Sequence, residues 1–321
     1  MSSAKKKLIS FIVPVYNEEE NVETLNARVS ATMARLPAYD YEIVFTDNHS
    51  EDGTFGILRR LAASDPRVRA LRFSRNFGYQ RSILTGYLRS RGAAAIQLDC
   101  DLQDPPELIP RFLELWEGGQ QVVYGVRRSR QEAWWINAAR SLFYRLIDSM
   151  SEDDLPHDAG DFRLVDRRVI EELAKVDDSQ PYLRGTLATL GFNQVGVPYD
   201  RAERERGVSK FSLKDLVGLA IDGILNHSIV PLRVATYTGL LVSLLTFLAL
   251  AGTAVGRVLF GQRWPAGFAT MTTLILLSLS LNAIFFGIIG EYLGRIYKQV
   301  KRKPLTIIEQ EIGSFSDGEN S

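Results

Sequence analysis

Two long uncharged runs constrain this chain more than any other feature of its sequence. The first extends from Val234 to Gly256 and the second from Trp264 to Gly290, with only Arg257 and Arg263 as charged residues between them. Each run exceeds the roughly 20 apolar residues that a helix needs to cross a bilayer. The alternative is a buried helical hairpin of a soluble protein, but two adjacent runs of this length are unusual in a globular core. We therefore predict a two-helix transmembrane hairpin over residues 232–297.

The charges that flank the hairpin predict its orientation. Arg233 precedes the first run, and a basic cluster follows the second at Lys298, Lys301, Arg302 and Lys303. By the positive-inside rule both termini lie in the cytoplasm. The basic start MSSAKKKLIS is followed by too short an apolar run for a signal peptide. This organisation predicts a cytoplasmic domain over residues 1–211, an amphipathic juxtamembrane helix over 212–231 and a basic, then polar, tail over 298–321.

Composition excludes several classes of protein. The 38 basic and 38 acidic side chains balance, which argues against a general nucleic-acid binder. The single cysteine, Cys100, excludes a disulfide framework and a multi-cysteine zinc site. The three histidines lack the spacing of zinc ligands.

The first 125 residues alternate between apolar runs and amphipathic segments. This alternation predicts a parallel sheet with helices on both faces, whose ligands bind at the carboxyl ends of the strands. The predicted strands are ISFIVPVY, YEIVFTD, VRALRFS, AAAIQLD and QVVYGV, and the predicted helices are Val22–Leu36, Thr54–Ala63, Gln80–Arg89 and Glu107–Glu117.

Acidic residues crowd the predicted carboxyl ends of three strands. The second strand ends at Asp47, and the fourth runs into Asp99-Cys100-Asp101 before a Pro-Pro turn. Carboxylates at one rim repel each other unless a cation or hydrogen-bond donors neutralise them. A D-x-D at a strand end suits Mg²⁺, which takes one or two carboxylates together with substrate phosphates. An ordinary acidic turn that caps a helix is the alternative for D-x-D alone, and the signatures on the other two strands favour the metal site.

Together these motifs resemble a known family. VPVYNEEENV, TDNHSEDGT, SRNFGYQ and LDCDLQDPPELIP are similar to the family 2 glycosyltransferases with the GT-A fold. GDFRLVDRR and RERGVSKFS narrow the resemblance to the polyprenyl-phosphate glycosyltransferases, relatives of dolichol-phosphate mannose synthase. The resemblance covers about residues 8–305. It implies an α/β fold with a Rossmann-like, mostly parallel sheet flanked by helices, followed by interfacial helices and two transmembrane helices.

The resemblance also implies roles for individual residues. One departure is that the second motif reads Asp47-Asn48-His49-Ser50 where the family often has D-D-G-S, which leaves the identity of the base open. The implied nucleotide-sugar site is Pro14, Tyr16, Glu18, Asp47, Asp99, Cys100 and Asp101; the implied ligands of Mg²⁺ or Mn²⁺ are Asp101 and Gln103, with Asp99 beside them; and the implied site for the acceptor phosphate is Arg127, Arg140, Arg206, Ser209 and Lys210.

The implied reaction moves a sugar, with inversion, from a nucleoside diphosphate to undecaprenyl or another polyprenyl phosphate at a bacterial inner membrane. The implied catalytic residues are Asp101, Asp161 and Arg206, with Asp161 nearest the sugar; its other possible roles are to orient Arg163 or to cap a strand turn. UDP-glucose is the first choice of donor, and GDP-mannose, UDP-N-acetylglucosamine and an aminoarabinose donor remain open. We also expect a homo-oligomer, for which a tetramer is one choice, because small residues in the first run permit close helix packing.

Two stretches are candidates for helices at the membrane surface, Ala133–Met150 and Phe211–Ile229, with core helices as the alternative. Two other functions compete with lipid glycosylation. A processive polysaccharide synthase would carry Q-x-x-R-W, whereas Gln180–Gly185 lacks the tryptophan. A membrane scaffold that senses nucleotides without turnover would need neither D-x-D nor RERGVSK.

Overall fold

A computed structural model of the chain describes residues 6–127, 159–178, 181–200, 267–301 and 304–313, with isolated positions between 232 and 259. The chain divides into two compact units. One holds the described residues up to 200 together with 304–313, and the other holds those from 232 to 301.

The first unit begins with the predicted alternation of strands and helices. All five strands and all four helices predicted from the sequence are present, and their ends differ from the predicted ones by at most two residues. The elements are β1 (Lys7–Val15), α1 (Val22–Ala34), β2 (Tyr39–Asp47), α2 (Thr54–Ser64), β3 (Val68–Phe73), α3 (Tyr79–Arg89), β4 (Ala94–Gln97), a 3₁₀ turn (Pro106–Leu108), α4 (Ile109–Glu117) and β5 (Val122–Arg127).

Three further strands complete the sheet. The strand order is β7-β5-β6-β4-β1-β2-β3-β8. Strands β1 to β4 pair in parallel, as do β5 and β7, whereas β6 is antiparallel to both β4 and β5, and β8 is antiparallel to β3. The mostly parallel sheet is confirmed, and these antiparallel strands were not predicted. The elements are β6 (Ala159–Asp166), α5 (Arg167–Leu173), α6 (Leu183–Thr189), β7 (Gln194–Tyr199) and β8 (Ile308–Ile312).

Apolar side chains cover both faces of the sheet. Phe11 and Phe45 face a core that includes residues of α1, α2 and α4. Ile12 and Val44, one position along each strand, face a second core with α3, α5 and α6. A sheet buried on both faces explains why these strands read as continuous apolar runs. At Gly86 of α3, a Cβ atom would lie 2.2 Å from Ile12 Cγ2, so the helix packs closely on β1.

A buried ionic cluster lies away from the strand ends that carry the acidic motifs. The carboxylate of Glu42, in β2, accepts hydrogen bonds from Ser10 Oγ at 2.6 Å, Arg69 Nη1 at 2.5 Å and the Arg91 backbone N–H at 2.8 Å. Burial opposes its charge, but these hydrogen bonds and the charge of Arg69 together lower the pKa of Glu42. The cluster ties β1, β2 and β3 to the loop that precedes β4.

Among the residues that the structure describes, one helix is long and apolar enough to span a bilayer. Helix α7 (Phe268–Val300) has 33 residues and contains an 18-residue window, Leu277–Gly294, that has a mean hydropathy of 1.4 and is not buried. In the first uncharged run, the described positions 235–242, 244, 245, 248 and 255 are helical. The second run is therefore a helix of spanning length, and the two-span hairpin stays a prediction.

Candidate active site

Topology gathers the acidic motifs at one rim of the sheet. Strands β4, β1 and β2 are neighbours and parallel, so their carboxyl ends lie side by side. Antiparallel β6 pairs Arg163 with Gln97 of β4, which brings the first residues of β6 to the same rim. Asp47, Asp99 and Asp161 thus meet here, as expected for the ligand-binding edge of such a sheet.

The loops that follow β1 and β2 are fastened to each other. The backbone N–H of Asn17 donates to Ser50 Oγ at 3.0 Å, and Asn17 Oδ1 accepts from the Glu51 N–H at 2.8 Å. The N–H of Glu18 donates to Thr54 Oγ1 at 2.8 Å. These reciprocal bonds hold the two loops in a fixed relation before any ligand binds. Pro14 is buried at the end of β1, while Tyr16 is exposed at the rim.

Non-glycine residues with left-handed backbone conformation occur in the loops that follow β1, β2 and β4. In the part of the chain that the structure describes, the non-glycine residues with positive φ are Asn17 (56°), His49 (64°) and Leu102 (60°). Such conformations cost about 1–3 kcal/mol each and are concentrated at functional sites. His49 occupies the position of the glycine in D-D-G-S, and its positive φ explains why the family often has glycine there.

Asp47 is fully buried at the end of β2. Its Oδ1 accepts a hydrogen bond from the Ser50 N–H at 2.9 Å. Its Oδ2 has no hydrogen-bond partner among the described residues, although Arg72 Nη1 lies 3.5 Å away. A buried carboxylate oxygen without a donor is costly unless a ligand supplies one. The atom is therefore suited to accept a hydrogen bond from a ligand.

Asp99 lies in a network that the sequence did not reveal. Tyr79, the first residue of α3, donates a short hydrogen bond to Asp99 Oδ1. Gln97 Nε2 donates to the Tyr79 hydroxyl at 3.0 Å and to Asp99 Oδ1 at 2.9 Å. Burial and the negative charge of Asp104, followed by those of Asp161 and Asp101, raise the pKa of Asp99 to about 7, against the opposing hydrogen bond from Tyr79. Burial and the nearby carboxylates thus both disfavour the ionised form of Asp99.

The loop that carries D-x-D is supported from its sides. The Gln103 N–H donates to Asp101 Oδ1 at 3.2 Å, and Arg28 of α1 contacts the Leu102 carbonyl at 3.5 Å. Tyr199, at the end of β7, donates a short hydrogen bond to buried Asp104. Cys100 is buried, and burial raises the pKa of its thiol, so its side chain is inert packing.

Asp161 has a guanidinium partner that sequence analysis did not assign. Arg184 Nε donates to its Oδ1 at 2.8 Å and Arg184 Nη2 to its Oδ2 at 2.5 Å, a bidentate pair. Arg163 Nη2 lies farther away, 4.0 Å from Oδ1. Burial would raise the pKa of Asp161, but the hydrogen bonds and charge of Arg184, with the charges of Arg163 and Arg127, lower it. Asp161 is therefore ionised at neutral pH, with both oxygens engaged.

The donor set fits a divalent cation held with a substrate. The described residues contain no group of three or more His, Cys, Asp or Glu that could enclose a metal ion. Mg²⁺ needs no such cage, because it retains waters and binds one or two carboxylates together with phosphates. Burial and the neighbouring carboxylates raise the pKa of Asp99, and a cation held beside Asp99 and Asp101 would offset the repulsion between these carboxylates.

The described part of the site contains both expected and unexpected residues. Arg127 ends β5 and pairs in register with Tyr199 of β7. Arg184 lies in QPYLRG, the segment that lacks the tryptophan of Q-x-x-R-W, and Tyr79 lies in SRNFGYQ, one of the motifs that resemble the family. These two motifs were therefore the sequence signals from which Arg184 and Tyr79 could have been predicted as site residues. The predicted residues Arg140, Arg206, Ser209 and Lys210, and the stretches 133–150 and 211–229, lie outside the described residues.

Comparison with known proteins fixes the family. The model of glycosyl transferase family 2 matches residues 10–174, which contain Asp47, Asp99, Asp101 and Asp161. The chain belongs to glycosyltransferase family 2. This family 2 chain is thus a glycosyltransferase, as the six sequence motifs predicted.

Curated members of the family match over nearly their whole length. An uncharacterised glycosyltransferase of Bacillus subtilis, YkcC, is 39% identical over 95% of this chain and 94% of its own. The SfII prophage-derived bactoprenol glucosyl transferase of Shigella flexneri is 37% identical over 94% of this chain and 97% of its own. Among solved structures, a mannosyltransferase of Pyrobaculum calidifontis covers 91% of this chain and 88% of its own, with 17% identity and a TM-score of 0.48.

Proposed function

We propose that the protein transfers a sugar from a nucleoside diphosphate to the phosphate of a polyprenyl lipid, with glucose from UDP-glucose as the first choice. The observation that carries this proposal is the rim that holds Asp47 at the end of β2, Asp99 just after β4 and Asp161 near the beginning of antiparallel β6. The bactoprenol glucosyl transferase of Shigella flexneri, similar over 94% of this chain, supports the lipid acceptor and the glucose. The apolar helix α7 supports a site of action at the bilayer.

In this proposal the donor lies along the ends of β1, β2 and β4. Asp47 Oδ2 accepts a hydrogen bond from the nucleoside, and Asp99 and Asp101, with Gln103, hold Mg²⁺ or Mn²⁺ beside the diphosphate. The cation supplies Lewis-acid stabilisation to the leaving diphosphate when bound. Hydrogen bonds from Tyr79 and Gln97 fix the side chain of Asp99 before a ligand binds. This reduces the entropic cost of assembling the site.

The acceptor phosphate is anionic at neutral pH, so the enzyme needs no strong base to activate it. The chain must instead bring two anions together, for which fixed positive charge is the requirement. Arg184, held by both oxygens of Asp161, and Arg127 supply that charge in the described part of the site. In this role Asp161 orients a guanidinium and is not free to accept a proton. Inversion at the anomeric carbon follows if the acceptor displaces the diphosphate in one step.

The location of the protein belongs to the same proposal. We place it in the inner membrane of a bacterium as a homo-oligomer, spanning twice, with both termini and the glycosyltransferase unit in the cytoplasm. The charges that flank the two apolar runs support this orientation. Arg140, Arg206, Ser209 and Lys210 remain proposed contacts of the acceptor phosphate.

The test is a transfer assay with the full chain in detergent. Radiolabelled UDP-glucose, GDP-mannose and UDP-N-acetylglucosamine are each supplied with undecaprenyl phosphate and Mg²⁺ or Mn²⁺, and the label that enters the organic phase is counted. We expect label from a single donor, and none from the Asp101→Ala variant. Donor hydrolysis without lipid product would contradict the acceptor. Nucleotide binding without either reaction would favour the sensing scaffold.

A further inference from the structure

The C-terminal strand β8 lies outside residues 10–174, which the family model matches. It is antiparallel to β3, and its register pairs Ile308 with Phe73 at the carboxyl end of β3. The Ser74 N–H donates to the Ile307 carbonyl at 2.9 Å, and the Thr85 and Thr306 hydroxyls are 2.9 Å apart. The beginning of β8 is thus fastened at the rim that contains Asp47.

Glu309 of β8 reaches two side chains of that rim. Its Oε2 lies 3.7 Å from Arg72 Nε and 3.5 Å from His49 Nδ1. On its other side, Arg72 places Nη1 3.5 Å from Asp47 Oδ2 and donates from Nη2 to the Ser50 carbonyl at 3.3 Å. Arg72 also lies over the ring of Phe55. One guanidinium is therefore shared between Asp47 and Glu309.

This sharing bears on what Asp47 can bind. At 3.5 Å from Arg72, Asp47 Oδ2 makes no hydrogen bond with the described residues. If Glu309 lost its charge, Arg72 would have one neighbouring carboxylate in place of two. We expect its guanidinium then to move toward Asp47, because a largely buried charge is costly unless it is paired. Asp47 Oδ2 would then be satisfied within the protein, and a ligand that donates an N–H or O–H would lose its acceptor.

His49 gives a second reason to assign a role to Glu309. A histidine at a φ of 64° is strained, so its neighbours must hold it there. The neighbours of its Nδ1 among the described residues are the Phe73 carbonyl at 2.9 Å and Glu309. Glu309 thus lies close both to the histidine that replaces the glycine of D-D-G-S and to the arginine that faces Asp47.

We propose that Glu309 is a positioning residue of the donor site, which holds Arg72 off Asp47 and so keeps Asp47 Oδ2 open to the nucleoside. The proposal rests on a nucleotide being the ligand of this rim, as in the proposed function. Donor binding then depends on a strand that follows the apolar helix in sequence.

The test compares Glu309→Gln with Glu311→Gln in the full chain. Glu311 lies two positions along the same strand and faces Arg89 at 3.4 Å, so its variant removes a similar exposed ion pair without touching the rim. Binding of UDP and of GDP is measured by calorimetry, and KM and kcat for the donor by the transfer assay. For Glu309→Gln we expect Kd and KM to rise about fivefold, which corresponds to the interaction free energy of a half-exposed ion pair. We expect kcat to change by less than about twofold. Glu311→Gln is expected to leave Kd, KM and kcat within about 1.5-fold of the unsubstituted chain.

Equal Kd values for the two variants would overturn the proposal. So would a fall in kcat and melting temperature for Glu309→Gln without a change in Kd, because that pattern indicates a purely structural strand. If the unsubstituted chain binds UDP but forms no lipid product, the proposed acceptor fails while the Kd comparison still decides the role of Glu309. An unsubstituted chain that binds neither nucleotide overturns the role of Glu309 as well.

Discussion

We predict that removing either member of the Asp161–Arg184 pair destabilises the protein, and that removing Arg184 costs more than removing Asp161. The side chain of Asp161 is 12% exposed, whereas that of Arg184 is 35% exposed. Arg184→Met therefore leaves a carboxylate that is largely shielded from water. Because Arg163 remains 4.0 Å from it, the cost lies at or below the low end of the 3–5 kcal/mol typical of a broken buried pair, about 2–3 kcal/mol. Asp161→Asn leaves a cation that can turn to solvent, and we expect a cost of about 1 kcal/mol.

These costs convert to melting temperatures of the glycosyltransferase unit. For a unit of this size, 1 kcal/mol shifts the melting temperature by about 2–4 °C. Arg184→Met should therefore melt about 4–12 °C lower, and Asp161→Asn about 2–4 °C lower. The double variant should melt higher than the sum of the two effects predicts, because it buries no unpaired charge. The matched control is Arg111→Met, whose partner Glu114 is exposed, and it should change the melting temperature little.

Transfer activity supplies the second half of the test. If Asp161 acts by orienting Arg184, the two residues act as a unit, and each single variant should lose about 100-fold in kcat with no further loss in the double variant. Multiplying losses would show that Asp161 has a role of its own at the sugar. An Arg184→Met variant as stable as Arg111→Met would refute the electrostatic reasoning altogether.

Three further predictions concern other parts of the unit. Glu42→Gln should destabilise it by about 3 kcal/mol, since Arg69 stays buried without its partner. Because the pKa of Glu42 is lowered by folding, its contribution is present above its unfolded pKa of about 4.3 and is lost as the pH falls through the lower folded value. Between pH 7 and pH 3 the melting temperature of the variant should thus decrease less with falling pH than that of the unsubstituted chain. Equal slopes of melting temperature against pH would contradict this. Gly86→Ala should cost about 1–3 kcal/mol because its Cβ meets Ile12, whereas Gly56→Ala, with open space around it, should stabilise α2 by up to about 1 kcal/mol; a reversed order in thermal melts would refute the packing argument. Asp101→Ala should abolish metal-dependent transfer while expression and membrane insertion, checked by fractionation, stay intact; full activity would refute the metal assignment.

The parallel part of the fold could be predicted because its signal is local. Each of the first five strands is an apolar run, and an amphipathic helix separates each strand from the next, so periodicity alone located them. Strand β6 could not be placed in this way, because its partner β4 lies more than 60 residues earlier and no short turn links them. Strand β8 lies in the segment predicted as a basic, then polar, tail, and its sequence IEQEI has three polar residues in five. That composition is ordinary for an edge strand, which protects its open side with charge.

The same contrast holds within the site. Asp47 and Asp99 follow strands directly, so their meeting at the rim follows from the rule for carboxyl ends. Arg184 and Tyr79 reach the rim from the beginnings of α6 and α3, and their positions depend on how those helices pack on the sheet. Packing of that kind has no period in the sequence. The position of Glu309 is harder still to predict from the sequence, because Glu309 lies at the rim only through the antiparallel pairing of β8.

The distribution of charge along the rim suits the transfer of a group between two phosphates. Carboxylates lie together at the end of β4, where burial and the charges of neighbouring carboxylates raise the pKa of Asp99. Guanidinium groups collect across the β6 side, where the pKa of Asp161 is lowered by their surplus. A donor diphosphate with its cation complements the first region, and an acceptor phosphate without a cation complements the second. Reversing the two would place an anion against Asp99 and a cation against Arg184, so under the proposed function we expect the leaving diphosphate beside Asp99 and the entering phosphate beside Arg184.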